Sequence, residues 1–386
     1  MHNSLKIIYI ITLIIILYIY FGYPLVIYLL RQIFTKTDKE HQEKINNNYF
    51  PYISLFIPAY NEEKVIKTKI KNSLELKYPK DRIEIVVVSD GSTDNTNSIA
   101  KNFTDKIRLY NYPKRDGKTN LINKTIPKLR GEIIVFSDAS ALLEKDALLK
   151  LSKHFFDEKI GCVSGKYKIL DQKKSTRAKG ESIYWNYETF IKKQESKFYS
   201  ILGAHGALYA MRKGLIKKLP ENAINDDYIL PMYAVKGGYR AIYEEEAIAW
   251  EIAKTSTLGE ITRRKRISVG NFQQLIILKT LLNPFKGRIS FEFISHKLLR
   301  GFAFIFMILL FIINLFLHSP FYITLLFMQI IFYMLGIIGF ILRVKQIKLK
   351  IFTLPFYIFL INYASLLGFI EFLKGYKETK WEKSTL

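Results

Sequence analysis

The sequence predicts an α/β domain built on a parallel sheet, together with helices that cross a membrane. Between about residues 50 and 140, short apolar runs alternate with segments that have the periodicity of helices. Continuous apolar strands joined by helices are typical of a parallel sheet that is covered on both faces. Long stretches rich in Ile, Leu, Phe and Tyr lie towards both ends, outside a charged block of about residues 35–300. That block is long enough to bury a complete core.

The N-terminal apolar stretch covers residues 5–30 and contains one charge, that of Lys6. At about 1.5 Å per residue, a helix of this length crosses a hydrocarbon layer of about 30 Å. The stretch shows neither the shorter apolar core nor the small-residue cleavage site of a signal peptide. We therefore predict a transmembrane helix within residues 1–34.

Three more apolar stretches predict transmembrane segments within residues 297–374, before a tail of residues 375–386. They are residues 301–317, 321–342 and 351–373. The break at His318, Ser319 and Pro320 predicts that the first two form an antiparallel hairpin.

Basic residues mark the expected cytoplasmic side. They follow the first apolar stretch and fill the loop of residues 343–350, and cytoplasmic loops carry an excess of Lys and Arg. Residues 35–262 are therefore expected to form a cytoplasmic catalytic domain, in a multi-pass protein of the plasma (inner) membrane. One crossing before this domain and three after it would place the Lys-rich tail on the opposite side. Either the last segment is re-entrant or the charge bias fails there.

The formal net charge of +24 does not indicate nucleic-acid binding, because the basic residues lie near membrane ends or singly, without an aromatic-basic motif. Attraction to an anionic membrane leaflet explains them more simply. The single cysteine, Cys162, excludes a disulfide within the chain, and the six His show no zinc-site spacing. The sequence does not specify an oligomeric state.

The central block alternates between strands and helices. The predicted strands are residues 52–58, 83–89, 107–110 and 133–137, and the predicted helices are residues 61–76 and 118–129. Ligands bind beyond the carboxyl ends of such strands, where three polar loops lie: residues 59–62, 90–92 and 138–140. Each loop could also be only a helix cap or a turn. Neither glycine-rich phosphate motif is present, so a bound anion is expected to be held by a cation or a metal.

The order of several motifs resembles that of the family 2 glycosyltransferases with a GT-A fold. The motifs are PAYNEE (58–63), VVVSDGSTDNT (86–96), RDGKTNLIN (115–123), VFSDAS (135–140), NDDYILPMYAVKGGYRAIYEEEAIAWE (225–251), RRKRISVGNFQQL (263–275) and KGYKETKWEK (374–383). The ordered set is more specific than any single motif. The chain is most similar to membrane-embedded polysaccharide synthases, such as poly-N-acetylglucosamine, hyaluronan and cellulose synthases. This implies an α/β GT-A domain with a Rossmann-like parallel sheet, combined with transmembrane helices.

The resemblance implies a donor site for a nucleotide sugar. The implied donor-binding residues are Pro58, Ala59, Tyr60, Glu62, Asp90, Gly91, Lys118, Asp138, Ala139, Ser140, Arg263 and Arg266. Asp90 can accept hydrogen bonds from a uracil, and Lys118 matches a donor contact of the family, although it could be a solvated lysine. Asp138 matches the first Asp of Asp-x-Asp, which holds Mg²⁺ or Mn²⁺. Ser140 departs from this pattern, because the second Asp usually ligates the metal.

The resemblance assigns Asp226 and Asp227 to the paired acids that follow the acceptor region. Adjacent carboxylates repel each other, and partial burial raises a pKa, which suits one of them to act as a base. In the family the second acid removes the proton, so Asp227 is the expected general base. An ordinary acidic first turn of a helix, favoured by the helix dipole, is the other explanation.

Residues 200–210 resemble the loop on which the acceptor sugar sits. Gly203 and Gly206 permit close approach of a ligand. His205 could hydrogen-bond to an acceptor hydroxyl, or it could be an ordinary turn residue.

Residues 263–296 hold an arginine-rich motif followed by interface helices. Arg263 and Ile267 stand where the family has the Gln and Trp of Gln-x-x-Arg-Trp, and Arg266 keeps the arginine, whose planar fork can clamp a diphosphate. The missing Trp argues against long-chain, processive synthesis. A membrane-facing basic patch is the alternative explanation, and both could hold. Residues 271–282 are expected to form an amphipathic helix on the membrane surface.

These observations predict an inverting, metal-dependent glycosyltransferase that acts on a UDP-sugar and a carbohydrate or lipid acceptor at the membrane. One rival is the transfer of a single sugar to a lipid carrier, as in polyprenyl-phosphate sugar synthases. The other is an inactive sugar- or lipid-binding scaffold subunit of an export complex.

Overall fold

The computed structural model describes residues 2–34, 36–170, 176–252, 257–345, 347 and 349–376. The strands are β1 (Ile53–Ala59), β2 (Ile83–Asp90), β3 (Arg108–Tyr112), β4 (Ile133–Phe136), β5 (Leu142–Leu143), β6 (Ile160–Leu170), β7 (Tyr209–Arg212) and β8 (Arg240–Ile252). The helices are α1 (His2–Leu17), α2 (Tyr23–Ile33), α3 (Lys36–Glu43), α4 (Ile66–Leu74), α5 (Thr96–Lys101), α6 (Lys118–Thr125), α7 (Ala147–Ser152), α8 (Thr176–Phe198), α9 (Asp226–Lys236), α10 (Thr257–Ile277), α11 (Arg288–Glu292), α12 (Leu299–Gly301), α13 (Ala303–Asn314), α14 (Pro320–Val344) and α15 (Thr353–Leu373). Short π-helical turns, Tyr18–Gly22 and Phe293–Leu298, join α1 to α2 and α11 to α12.

The strands form one sheet in the order β3-β2-β1-β4-β7-β6-β8-β5. Pairing is parallel from β3 through β2 and β1 to β4, as the sequence predicts. Beyond β4 the sheet is mixed, because β7 pairs antiparallel with β4 and β6, and β5 pairs antiparallel with β8. The α/β fold class is confirmed, but the prediction of a parallel sheet holds only for its first half. Strand direction in the second half depends on pairing between distant segments, which the apolar pattern does not encode.

Both faces of the sheet are buried. Along β1, Ile53, Leu55 and Ile57 pack into the core on one face, while Phe56 packs into the core on the other. Side chains of a strand alternate between faces, so a sheet covered on both sides requires apolar residues at successive positions. This explains why the strands of the first half read as continuous apolar runs.

The helix predicted to begin at residue 61 begins at Ile66 instead. Asn61 has a positive φ of 54°, which is incompatible with a helix. The backbone N–H of Asn61 donates to Ser92 Oγ at 3.1 Å, and that of Glu62 donates to Thr96 Oγ1 at 2.7 Å. The loop after β1 is therefore tied to the loop after β2, and this delays the helix.

Within the part of the chain that the structure describes, three helical stretches are long and apolar enough to cross a membrane: Asn3–Ile33, Pro320–Val344 and Thr353–Leu373. Helix α13 has 12 residues, about 18 Å at 1.5 Å per residue, which is too short to cross alone. It follows Arg288–Gly301 across a 56° bend, and the bent pair together would count as a fourth span.

Helices α13 and α14 form the predicted hairpin. Gln329 Nε2 and Tyr333 OH, both on α14, donate to the carbonyl of Met307 on α13 at 3.3 and 3.1 Å. Nearer the connecting turn, Leu310 and Ile313 of α13 cluster with Tyr322 of α14. The two helices therefore run in opposite directions.

The arginine-rich motif and the predicted interface helix form one helix, α10, which ends at Ile277 rather than at residue 282. Helix α15 lies beside α10 and runs in the same direction. Ile261 of α10 packs near the start of α15, and Phe272 packs on Phe369 of α15 with ring centroids 5.0 Å apart. Between these contacts, a Cβ on Gly368 would lie 2.5 Å from Ser268 Cβ. The last apolar helix is thus held alongside a helix that carries several charges.

Candidate active site

The carboxyl ends of β1, β2 and β4 place the three predicted loops at one edge of the sheet. Asp90 is buried, and it accepts hydrogen bonds from the backbone N–H groups of Asp116 (2.7 Å) and Gly117 (2.8 Å). These bonds hold the segment just before α6, whose first residue is Lys118. Each carboxylate oxygen keeps a second lone pair that can accept a further hydrogen bond. The contact of Asp90 with a base stays a prediction.

Gly91 and Arg115 link the loop after β2 to the segment before α6 and to Tyr60. Gly91 has a φ of 63°, and a Cβ there would lie 2.6 Å from the backbone nitrogen of Arg115. Only glycine fits this position without displacing the backbone. Arg115, which the sequence did not single out, places its guanidinium 4.0 Å from the ring centroid of Tyr60. The sequence signal that could have pointed to Arg115 is its position in the motif RDGK (115–118).

Lys118 lies at the centre of the site. Its Nζ is 3.2 Å from Asp138 Oδ1 and 3.2 Å from Asp226 Oδ2, and the Lys118 side chain is 9% exposed. Burial alone would lower the pKa of this ammonium, but the neighbouring carboxylates outweigh burial and raise the pKa above its usual value. The predicted donor lysine and two of the predicted acids therefore form one charged cluster.

Gly206 allows Asp227, the predicted base, to approach this cluster. A Cβ on Gly206 would lie 3.1 Å from Asp138 Oδ2 and 3.4 Å from Asp227 Oδ2. The backbone N–H of Gly206 donates to Asp227 Oδ2 at 2.9 Å. A larger residue would occupy the space on which these oxygens converge.

Asp226 and Asp227 differ in their surroundings. Asp226 is buried against Lys118, whereas Asp227 is partly exposed and bonded to the Gly206 N–H. Burial, reinforced by the charge of Asp226, raises the pKa of Asp227 to about 6. The pKa of Asp226 is also raised by burial, although Lys118 opposes this. A carboxylate that exchanges a proton near neutral pH suits the task of a general base.

The predicted acceptor loop lies beside these acids. His205 stacks on Tyr167 with ring centroids 4.3 Å apart, and its Nδ1 accepts the Ala207 N–H at 3.2 Å. Burial and nearby cations lower the pKa of His205 well below its usual value, so the ring is neutral. Gly203 has a φ of 87° and leaves room for the ring of Tyr228. A Cβ on residue 203 would lie 2.3 Å from Cδ2 of that ring.

Helix α10 closes one side of the site. Asn225, just before α9, donates from Nδ2 to the carbonyl of Ile267 at 3.1 Å, and Gln273 Nε2 donates to the carbonyl of Asn222 at 3.1 Å. These bonds hold α10 against the start of α9. Asp226 and Asp227 act electrostatically on Arg266, whose pKa is lowered by burial, so the arginine-rich motif lies beside the candidate site.

Ser140 has a partner that the sequence did not reveal. Its Oγ donates to Glu251 Oε1 at 2.5 Å, and Glu251 lies on β8. Antiparallel pairing of Leu142 with Trp250 places this part of β8 beside the turn that contains Ser140. No spacing rule links residues 140 and 251, which are far apart in the sequence.

The buried side chain of Lys69 hydrogen-bonds to the same turn. Lys69 Nζ donates to Ser137 Oγ at 2.6 Å and to the carbonyl of Ala141 at 2.5 Å. Burial lowers the pKa of Lys69 to about 7, while the carboxylates of Asp138 and Glu251 act in the opposite direction. Both carboxylates therefore lie close enough to influence one buried amine.

The oxygen groups at this turn fit a hard divalent cation such as Mg²⁺ or Mn²⁺. Among the residues that the structure describes, no group of three or more His, Cys, Asp or Glu side chains is arranged to hold a metal by itself. The Asp138 side chain is 24% exposed, so a ligand can reach it. Sites of this kind take one or two carboxylates from the protein and further ligands from substrate phosphates and water.

Comparison with known proteins identifies the family. The sequence model described as Glycosyl transferase family 2 matches residues 54–220. A probable glycosyltransferase of Bacillus subtilis, YdaM, is 30% identical over 296 residues, which cover 70% of this chain and 68% of YdaM. The chain belongs to glycosyl transferase family 2. The matched region of this glycosyltransferase includes the loops after β1, β2 and β4.

Two other relatives have more specific names. A poly-beta-1,6-N-acetyl-D-glucosamine synthase of Staphylococcus aureus is 26% identical over 240 residues, which cover 60% of this glycosyltransferase and 57% of the synthase. A beta-monoglucosyldiacylglycerol synthase of Nostoc is 31% identical over 162 residues, which cover 40% of this chain and 34% of that synthase. Neither match extends over two thirds of the relative.

A solved structure confirms the GT-A fold over nearly the whole chain. It is a mannosyltransferase from Pyrobaculum calidifontis in complex with GDP-Man and Mn²⁺. The TM-score is 0.71 at 21% identity, and the match covers 96% of this glycosyltransferase and 99% of the mannosyltransferase. At this identity the similarity establishes the fold and not the donor.

Proposed function

We propose that this protein is a membrane-integral, inverting glycosyltransferase that transfers a sugar from a UDP-sugar, of the UDP-GlcNAc or UDP-glucose type. The acceptor is a growing polysaccharide or a glycolipid, and the new bond is β-glycosidic. Asp227 activates the acceptor hydroxyl, and Asp138 holds a divalent metal at the donor diphosphate. Two relatives are named as synthases of products that contain N-acetylglucosamine or a glucosyl group, and these names support this choice of donor sugar.

The observation that carries the proposal is the position of Asp227. Its Oδ2 lies at the junction of the Gly206 backbone, Asp138 and the start of α9. The Gly206 N–H orients the carboxylate, and burial brings its pKa to about 6. Asp227 is therefore largely deprotonated near neutral pH and can take the proton of an acceptor hydroxyl as the sugar is transferred.

The cations around Asp227 suit a leaving diphosphate. Lys118 contacts Asp138, and Arg266 lies near the paired acids. A divalent metal, when bound, would neutralise part of the diphosphate charge. Tyr60, with Arg115 against its ring, forms a flat surface at the nucleoside end of the site.

A donor screen tests this function. Purified full-length protein in lipid would be incubated with UDP-GlcNAc, UDP-glucose or GDP-mannose and Mg²⁺ or Mn²⁺, and released nucleoside diphosphate would be measured. We expect release from a UDP-hexose and a polymeric or glycolipid product with an inverted anomeric centre. A single sugar on a polyprenyl phosphate would favour the lipid-carrier enzyme. Absence of release from every donor would favour the scaffold subunit.

We also propose that the tail and the catalytic domain lie on the same, cytoplasmic side of the membrane. The exposed apolar surface of the long helices supports membrane integration, with Phe21 and Ile33 about 70% exposed. Helix α1 with α2 makes one crossing, and the hairpin of α13 and α14 enters and returns. Helix α15 lies along α10, and Tyr376, just after it, is close enough to influence Arg266 at the active site.

Cysteine labelling tests this topology. The natural Cys162 is fully buried and should give little background. In sealed vesicles, we expect Lys374→Cys, at the start of the tail, to react with an impermeant maleimide from the same side as Lys101→Cys in the catalytic domain. His318→Cys, between α13 and α14, should react from the opposite side. Labelling of Lys374→Cys together with His318→Cys would show that α15 crosses the membrane.

A further inference from the structure

We propose that Glu251 supplies the second carboxylate of the metal site, in place of the missing second Asp of Asp-x-Asp. The inference deepens the proposed function, since it rests on a divalent metal held at the donor diphosphate by Asp138. The proposed ligand lies on β8, far from the loop of residues 138–140 in the sequence.

The first argument is the position of the Glu251 carboxylate. Ser140 occupies the place of the second Asp, and its Oγ lies 2.5 Å from Glu251 Oε1. A serine side chain is neutral and shorter than that of aspartate, so it cannot replace a carboxylate by itself. A glutamate that reaches in from β8 brings its carboxylate to the place where the side chain of residue 140 ends. A carboxylate thus lies within hydrogen-bond distance of the side chain at residue 140.

The second argument is rigidity. Glu251 lies on β8, which pairs with β5 through Trp250 and with β6 through Ile169 opposite Glu251. Ligands held on paired strands keep their geometry better than ligands on free loops. Asp138 is restrained as well, because its carbonyl accepts the Ala141 N–H at 3.1 Å within a closed turn. The backbone that carries each carboxylate is therefore restrained.

The third argument is charge. Asp138 and Glu251 both act electrostatically on the buried amine of Lys69. This amine hydrogen-bonds to both ends of the turn of residues 137–141. Arg263 also lies within the influence of Glu251, and Lys118 contacts Asp138. Cations therefore act on both carboxylates from the protein side. Two carboxylates beside a diphosphate match the oxygen-rich ligand set that Mg²⁺ and Mn²⁺ prefer.

A merely structural role for Glu251 makes a different prediction. If Glu251 only anchors the turn through Ser140, then Ser140→Ala and Glu251→Gln should have similar effects, because each alters the same hydrogen bond. If Glu251 is a ligand, Glu251→Gln removes the charge that the metal needs, whereas Ser140→Ala leaves the carboxylate in place. A new carboxylate at residue 140 should then compensate for the loss of the one at 251.

The test measures Mn²⁺ binding rather than turnover. Full-length protein would be titrated with Mn²⁺ in the presence of UDP, with GDP in parallel, and free Mn²⁺ followed by electron paramagnetic resonance. We expect Glu251→Gln to weaken Mn²⁺ binding by roughly tenfold or more, Ser140→Ala to leave it within about twofold, and Ser140→Asp with Glu251→Gln to restore it. Glu246→Gln, an exposed glutamate on the same strand, is the matched control.

The outcomes separate this inference from the function on which it rests. Wild-type protein that binds no Mn²⁺ with either nucleotide would refute the metal site and Glu251 with it. Nucleotide-dependent Mn²⁺ binding that Glu251→Gln leaves unchanged would refute only the role of Glu251. Equal losses in Ser140→Ala and Glu251→Gln would also refute it. If Glu251→Gln does not fold, Glu251→Ala replaces it, and unchanged Mn²⁺ affinity in that variant would count against a ligand.

Discussion

Replacing Asp227 with asparagine is expected to lower nucleoside diphosphate release by roughly 10²–10⁴-fold, the usual contribution of a general base. Asparagine has nearly the same shape, and its amide oxygen can still accept the Gly206 N–H that Asp227 accepts at 2.9 Å. It cannot take a proton from an acceptor hydroxyl. The loss should therefore appear in the rate of transfer, while donor affinity changes little.

The measurement compares transfer rates and donor binding in wild type and Asp227→Asn. Glu221→Gln provides the control, since Glu221 is an exposed acid shortly before the pair. Unchanged thermal melting would show that the fold is intact. A rate for Asp227→Asn near that of wild type would assign the base to another residue, and a matching loss in Glu221→Gln would show a nonspecific effect.

Replacing Lys118 with methionine is the second change with a large expected effect. It removes the ammonium that lies 3.2 Å from both Asp138 and Asp226 while keeping an apolar side chain of similar length. Removing one partner of a buried ion pair typically costs about 3–5 kcal/mol of folding free energy. Donor affinity should also fall, because a positive charge at the diphosphate position is lost.

The same variant should change the pH dependence in a defined direction. In wild type the pKa of Asp227 is raised to about 6, and a base acts only when deprotonated, so the rate should fall as the pH drops through about 6. The charge of Lys118 opposes this rise in the pKa of Asp227. In Lys118→Met the pKa of Asp227 should rise further, and the acid limb of the pH–rate profile should move to higher pH.

Rates measured from pH 5 to 8 and melting curves would check both effects. Lys124→Met is the matched control, because Lys124 lies on the same helix, is half exposed and pairs with Asp116 away from the paired acids. An acid limb that stays in place in Lys118→Met would contradict the proposed coupling. A lysine that was merely solvated would cause neither the loss of stability nor the shift.

Much of the donor side of the site could be predicted from local sequence. An apolar run that ends in a polar loop marks the carboxyl end of a buried strand, and parallel strands bring such loops to one edge. Asp90 and Asp138 were found in this way, and Lys118 at the start of a helix followed from the motif. The structure brings Lys118 and Asp138 into contact.

Other parts of the site depend on contacts between distant residues. Glu251 was quoted only as the end of a motif, because a glutamate on a strand gives no local sign that it meets Ser140. Arg115 was missed for a similar reason, since its stacking on Tyr60 joins two loops. Lys69 lay in a helical pattern as an ordinary lysine, and only packing shows that it is buried under the turn.

The sequence by itself determined the α/β class and the apolar helices, and it predicted the sheet edge and the acids at residues 138, 226 and 227 that form the candidate site. The class, the helices and the loops at that edge follow from periodicity and strand ends, which are local, whereas Asp226 and Asp227 follow from the family resemblance. Only the tertiary structure decided the mixed half of the sheet, the placement of α15 along α10 and the contact between Ser140 and Glu251. Those depend on how strands and helices far apart in the chain pair and pack, and the energy of such contacts is set by partners that no local pattern specifies.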